Sequence, residues 1–449
     1  MIFFRSFQRG CLNQIGVIHM ERIRLSGGNK LNGELLISGA KNAALPLMIA
    51  SLLTEEQLVL RNVPDLADVR QLRRILENHG ARISPVSRDG NGERIKSPSL
   101  SFNTPAITNT CAPYDLVSAM RASFWVIGPL LSREHRARVS LPGGCAIGTR
   151  PVDFYLEGLK ALGAEIEIDK GYIVARAPRG GLIGSKLRFP KVSVGATHVV
   201  MMAATLARGT TEIENAAQEP EIGNVARCLV AMGARISGID SSHLVIEGVE
   251  KLGGADFEVL PDRIETGTFA MAAAMTGGDL LLKNARPENL MAALNVLELT
   301  GVDVSMQENG IRIRASGERV RPVSVETDPF PGFPTDLQAQ YMALMARADG
   351  VSKIRETIFE NRFMHVAELA RFGADISIEG QVATIKGVDT LKGAQVRATD
   401  LRASVSLVIA GLAARGETIV NEIHHLDRGF ERLEEKLRNC GADISRISD

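Results

Sequence analysis

Residues 159–168 read LKALGAEIEI. An apolar stretch with helical spacing runs into Gly163, and apolar and charged residues then alternate. Glycine accepts the left-handed backbone that ends a helix at its C′ position, and period-two alternation marks a half-buried strand. The phrase returns as ENHGARISPV (77–86), LVAMGARISG (229–238), LELTGVDVSM (297–306), LARFGADISI (369–378) and LRNCGADISR (437–446). The glycines Gly80, Gly163, Gly233, Gly301, Gly373 and Gly441 are separated by 83, 70, 68, 72 and 68 residues.

A second phrase precedes each of these: a helix of small apolar residues, a turn, then a strand. Examples are GAKNAALPLMIASLLTEEQLVLRNV (39–63), GATHVVMMAATLARGTTEIENA (195–216) and ETGTFAMAAAMTGGDLLLKNA (265–285). Helices with so few charges are buried over most of their surface. The unit is therefore helix, strand, helix, strand, strand, repeated six times. Solenoid repeats are shorter, ~20–50 residues. The expected fold is α/β, with two pseudo-threefold domains of three units each. The boundary falls near EVLPDRIE (258–265). Domain one is expected at 41–260. Domain two is expected at 20–40 plus 261–449, with the 20–40 strand region returning to the C-terminal half. Residues 1–19 differ in composition and are expected to be a flexible extension before the folded unit.

Bulk composition narrows the function classes. Lys plus Arg equals Asp plus Glu, 52 each, so no global basic field recruits nucleic acid or a membrane surface. No apolar run reaches the ~18 residues that span a bilayer. Five cysteines, an odd number without a CxxC, argue against a disulfide framework or zinc knuckle and fit a reducing cytoplasm. No metal site or cofactor is expected. Walker A, GxGxxG and Gly-x-Ser-x-Gly signatures are missing from the sequence.

The polar residues gather at the starts of the buried helices. Lys41-Asn42 opens the first, Thr335-Asp336 the fifth, and Asp400 with Arg402 the sixth; Arg121 lies within the second. Helix N-termini present free N–H groups and attract anions. Asp336 and Asp400 are also good N-caps, worth ~1 kcal/mol each without any chemistry. Lys41 and Arg402 oppose the positive dipole end, a mismatch that points to function. Arg428 and the QEPEIGN run (218–224) read first as surface charge and a helix start. LPGGCAIGTR (141–150) places Cys145 in a glycine-rich loop before Arg150. An arginine lowers a thiol pKa and binds anions, but an inert cysteine in a surface turn fits the stretch equally well. One thiol, one carboxylate, one lysine and several arginines suit a phosphorylated anionic substrate with proton transfers at carbon and oxygen.

SGAKNAALP, CAPYDLVSAMRAS, LPGGCAIGTRPVD, KVSVGAT, LPDRIETGTF, FPTDLQAQ, ENRFMHV, ATDLRAS and DRGFERLEEKL occur in that order. Together they resemble the UDP-N-acetylglucosamine-dependent branch of the enolpyruvyl transferase family, over about residues 20–449. The resemblance implies an inside-out α/β barrel of βαβαββ-like units, a double crossover near residues 40 and 260, and a cleft that closes on substrate. It implies enolpyruvyl transfer from phosphoenolpyruvate to UDP-N-acetylglucosamine, the first committed step of peptidoglycan synthesis, with fosfomycin as inhibitor. Cys145 resembles the proton donor that also adds covalently to phosphoenolpyruvate. Lys41, Arg150, Arg402 and Arg428 resemble the phosphoenolpyruvate grip, with Arg121 and Asn42 beside it. Asp336 resembles the base at the sugar 3-hydroxyl. Asn42, Arg121, the run Arg150, Pro151, Val152, Asp153 and Phe154, the run Lys191, Val192, Ser193, Val194 and Gly195, and Ile358 resemble the sugar-nucleotide contacts. Two departures stand out: the extension before Met20, and the long polar segment 87–110, read as an extended hairpin or loop. The alternatives are a shikimate-pathway enolpyruvyl transferase and a non-catalytic sugar-nucleotide-binding paralogue.

Overall fold

All six recurring glycines end a helix with a left-handed backbone, φ 88° to 104°. At Gly163, for example, its own N–H donates to Lys160 O at 2.8 Å, and the N–H of Ala164 reaches back to Leu159 O at 3.1 Å. That bond pair closes the helix and turns the chain into Glu165–Asp169, a strand. The same pair recurs at the other five glycines. The computed structural model describes residues 21–88, 94–95, 97–143 and 152–448.

The apolar phrases form helices that are buried nearly all round. They are Lys41–Ala50, Ile127–Glu134 and Val194–Ala204 in one half, and Arg263–Thr276, Gln338–Met345 and Leu401–Ala413 in the other. Their composition leaves no polar stripe to face water, so sheets and amphipathic helices must cover them. Among the described residues six four-stranded sheets do so, each with one parallel pair and two antiparallel joins. In the third unit, Lys186–Arg188 runs parallel to Thr210–Glu214, which pairs with His243–Glu247, itself paired with Arg235–Ser237. The order along the chain is βαβαββ, the repeat with helices inside and sheets outside that the sequence implies.

Three sheets are completed by distant chain. Ala255–Glu258 runs parallel to Gln57–Arg61. Asn32–Leu36 runs parallel to Asp279–Lys283. Arg22–Ser26 lies antiparallel between Glu417–Asn421 and Asp443–Ile447. The segment 87–110, expected as a hairpin or loop, contributes the strand Ser99–Asn103, paired with Gln57–Arg61 and Arg82–Pro85.

Two hydrophobic cores result. One is built from residues between Ala40 and Leu260. The other combines Ile23–Ile37 with residues from Ile264 to Ile444. The chain passes between them twice, side by side. Ala40 N–H donates to Leu260 O and Asp262 N–H to Ser38 O, each at 2.8 Å. Among the described residues no helix is long and apolar enough to cross a membrane.

Candidate functional site

The double crossing puts two helix N-termini side by side, and one carboxylate serves both. Asp262 Oδ1 accepts from Ile264 N at 2.8 Å and Glu265 N at 3.0 Å, capping its own helix. Its Oδ2 accepts from Lys41 N at 3.2 Å. Lys41 thus opens a helix whose positive end is partly neutralised, which offsets the like-charge mismatch seen in the sequence.

The Lys41 ammonium is buried and lies 3.3 Å from Asp68 Oδ2. Asp68, in the first turn of the helix Ala67–Asn78, also accepts from Arg428 Nε at 2.8 Å. Arg428 ends the 3-10 helix Ile423–Arg428 of the other half, so this ion pair spans the two cores. Burial is the main force lowering the Lys41 pKa; Arg402 and Arg428 add to it, and Asp68 and Asp336 oppose it. Burial alone would raise the Asp68 carboxyl, but Lys41 and Arg428 hold it below its ordinary value.

Asp336 sits inside the 3-10 turn Thr335–Leu337, whose N-cap position is held by Pro334. Its carboxylate is committed elsewhere. Arg362 Nη2 donates to Oδ1 at 2.7 Å, Arg402 Nη2 to Oδ2 at 2.9 Å, and Asn42 Nδ2 to Oδ2 at 3.5 Å. Burial pushes this carboxyl up, yet Arg402, Arg362 and Lys41 together hold it well below the usual carboxylate range. Arg402 is 4% exposed. Asp400 caps its helix, accepting from the N–H groups of Arg402 at 2.9 Å and Ala403 at 3.1 Å. The Nη1 of Arg402 is buried with no hydrogen-bond partner among the described residues. A buried guanidinium N–H left unpaired is costly, and a ligand oxygen that paired it would remove the cost.

Lys41, Asn42, Asp336, Arg402 and Arg428 are thus brought into one connected cluster. The sugar-nucleotide candidates sit on the first core. Val152, Asp153 and Phe154 open the helix Asp153–Ala161. Ser193 caps the helix Val194–Ala204, accepting from Ala196 N at 3.3 Å, with Lys191 and Val192 just before it. Those two helices pack together at Gly195, where a side chain would collide with the Tyr155 hydroxyl. Arg121 opens the 3-10 helix Arg121–Val126, packed against Lys41–Ala50. Ile358 donates its N–H to Glu356 at 2.9 Å, two bonds from the Asp336 turn. Cys145, Arg150 and Pro151 lie outside the described residues.

Three site residues were not singled out in the sequence: Asp68, Arg362 and Arg263. Arg362 lies within ENRFMHV, a signal that sequence reading had in hand. Asp68 has no local signature; its partner Arg428 is 360 residues away. Arg263, buried, pairs with buried Glu221 at 3.0 Å, so the QEPEIGN run is more than a helix start.

A family model described as EPSP synthase (3-phosphoshikimate 1-carboxyvinyltransferase) matches residues 25–437. The chain is 65% identical over 430 residues to the UDP-N-acetylglucosamine 1-carboxyvinyltransferase of Agrobacterium fabrum, covering 96% of this chain and 100% of that protein. The likeness to the enzyme of that name from Sinorhizobium medicae has the same extent, also at 65%. Among solved structures, the enolpyruvyl transferase NikO from Streptomyces tendae superposes with a TM-score of 0.83 at 24% identity, covering 96% of this chain and 100% of that one. EPSP synthase from Acinetobacter baumannii superposes with a TM-score of 0.72 at 16% identity, covering 95% and 100%. The solved structures share the fold; the sequence relatives, at full length, place the chain within it. The chain belongs to the enolpyruvyl transferases, in the branch of the UDP-N-acetylglucosamine 1-carboxyvinyltransferases.

Proposed function

We propose that the chain transfers the enolpyruvyl group of phosphoenolpyruvate to the 3-hydroxyl of UDP-N-acetylglucosamine and releases phosphate, the first committed step of peptidoglycan synthesis. The observation that carries this reading is the buried Arg402, with Nη2 on Asp336 and Nη1 without a partner among the described residues, beside Lys41 and Arg428. Cations from both cores are concentrated there, as a donor bearing a phosphate and a carboxylate requires. Arginine forks bind such oxygens bidentately.

The chemistry follows from the residues. C3 of the donor gains a proton and C2 becomes electrophilic. The sugar hydroxyl adds to C2 while Asp336 takes its proton, giving a tetrahedral ketal. C3 then loses a proton as the bond from C2 to the phosphate oxygen breaks, leaving the enolpyruvyl ether and phosphate. Cys145 serves as the proton donor at C3. Lys41, Arg150, Arg402 and Arg428 grip the donor's charges, with Arg121 and Asn42 alongside. The runs 150–154 and 191–195, with Ile358, bind the sugar nucleotide.

Asp336 is a weak base while Arg402 and Arg362 both hold it. An arriving anionic donor draws Arg402 away, and the carboxylate's proton affinity rises when it is needed. Asp68 acts as the resident counter-ion of Lys41 and Arg428 until the donor displaces it. The halves 41–260 and 20–40 plus 261–449 shut as two bodies, a gating motion that excludes water. The cysteine usage fits a reducing cytoplasm.

Phosphate release from phosphoenolpyruvate tests the reaction. It should require UDP-N-acetylglucosamine and be absent with shikimate 3-phosphate; the converse result would assign the shikimate reaction. No release with either acceptor, with sugar-nucleotide binding retained, would mark a binding paralogue that has lost turnover. Fosfomycin should inactivate the protein through the Cys145 thiol, and Cys145→Ala should abolish labelling. Continued labelling of that variant would remove Cys145 from its assigned place.

A further inference from the structure

After the inner strand that follows each buried helix, three of the six repeats place an asparagine at an equivalent spot. Asn62, Asn215 and Asn284 stand there with left-handed backbones, φ 57° to 65°. Two of them donate side-chain N–H to the neighbouring parallel strand: Asn62 to Val259 O at 3.0 Å and Asn215 to Phe189 O at 2.9 Å. This is a structural stitch. Three units depart from it: Leu141 follows the strand Arg136–Ser140, Glu422 follows Glu417–Asn421 with the left-handed backbone kept at φ 58°, and the fifth unit departs furthest. Glu356 follows the strand Val351–Arg355 there, without the left-handed backbone, and is 1% exposed.

Its carboxylate is an acceptor hub. Oε1 accepts from Thr327 Oγ1 at 3.0 Å, Ile358 N at 2.9 Å and Phe359 N at 3.1 Å. Oε2 accepts from the Thr335 hydroxyl at 2.9 Å. That hydroxyl in turn accepts from Arg362 Nη1 at 3.0 Å, and Arg362 Nη2 donates to Asp336 Oδ1 at 2.7 Å. A directed chain therefore runs from Glu356 through Thr335 and Arg362 to Asp336. A buried carboxylate that stands at the stitch position and spends both oxygens on four donors, from Thr327, Thr335 and the 358–359 backbone, is a device for holding geometry.

We propose that Glu356 is a positioning residue for the acceptor side of the reaction: it aims Arg362 at Asp336 through Thr335 and fixes the backbone of 358–359 against the acceptor sugar. This rests on the reading of Asp336 as the base. Glu356 touches neither reacting group.

Two substitutions separate the relay from the loop. Thr335→Val removes the hydroxyl alone. In Glu356→Gln, the three donors at Oε1 keep the amide oxygen there and turn its NH2 toward Thr335, which is then left with donors only. Both variants should lower kcat about tenfold, with KM for either substrate within about twofold of wild type. With Arg362 loosened, the Asp336 carboxyl is held down less firmly, so the acid limb of kcat moves to higher pH. Glu356→Ala should additionally raise KM for UDP-N-acetylglucosamine about tenfold, since the 358–359 backbone loses its acceptor. Wild-type kcat and an unmoved acid limb in Thr335→Val and Glu356→Gln would overturn the proposal, as would a loss confined to the KM for phosphoenolpyruvate. Asp336→Asn is the control. If it turns over normally, the assignment of the base fails. If it is inert while the two relay variants behave as wild type, only the positioning role fails.

Discussion

Asp336 and Asp400 look alike in the sequence: each is an acid at the start of a buried helix. The folded chain separates them by partner. Asp400 spends an oxygen on two backbone N–H groups, as a cap does. Asp336 spends both oxygens on side chains from three distant segments. Caps are local and legible; convergence across the chain is not. Asp336→Asn keeps the shape and removes the charge, so turnover should fall by about three orders of magnitude, within the usual range for losing a general base. Affinity for UDP-N-acetylglucosamine, measured by calorimetry, should stay within a few-fold of wild type. Near-normal turnover would remove Asp336 as the base. Because Arg402, Arg362 and Lys41 hold the carboxyl low before the donor arrives, it stays ionised well into the acid range in the free protein, and the acid limb it sets in kcat/KM lies below the ordinary carboxylate pKa.

At the scale of elements, most of the fold could be read directly. Helix ends were fixed by glycine chemistry, and strands by alternation, because both signals are local. Gly373 offers a clean test. Its φ is +88° and nothing lies within 4 Å of where a Cβ would stand. Gly373→Ala therefore costs only left-handed backbone strain, ~1 kcal/mol, read as a lower urea midpoint with unchanged activity. A shift of several kcal/mol would mean that the glycine does more than end its helix. What stayed hidden were elements whose partners are remote in sequence. The segment 87–110 folds back as an extended hairpin, Ser99–Asn103 antiparallel to Arg82–Pro85, but the pairing of that strand with Gln57–Arg61 left no local mark. Glu356 gave no signal either, since its hub becomes visible only beside its counterparts in the other repeats.

Over the whole molecule, neutrality conceals a strong local field. Lysine and arginine balance the acids overall, yet three arginines and a lysine from two cores crowd around Asp68 and Asp336. Burying charges is costly unless they are paired. Asp68 and Asp336 keep the cations together, and a displacing dianion restores the pairing. Lys41 belongs to the first core and Arg428 to the second, so each half supplies part of the grip. The most direct measurement is therefore the KM for phosphoenolpyruvate, by phosphate release at saturating UDP-N-acetylglucosamine, in Lys41→Met and Arg428→Met. The account predicts that each variant loses at least ~10-fold in kcat/KM for the donor, about the ~1.4 kcal/mol or more expected for a lost charge-assisted contact. Wild-type handling of phosphoenolpyruvate by either variant would contradict a grip shared between the two halves.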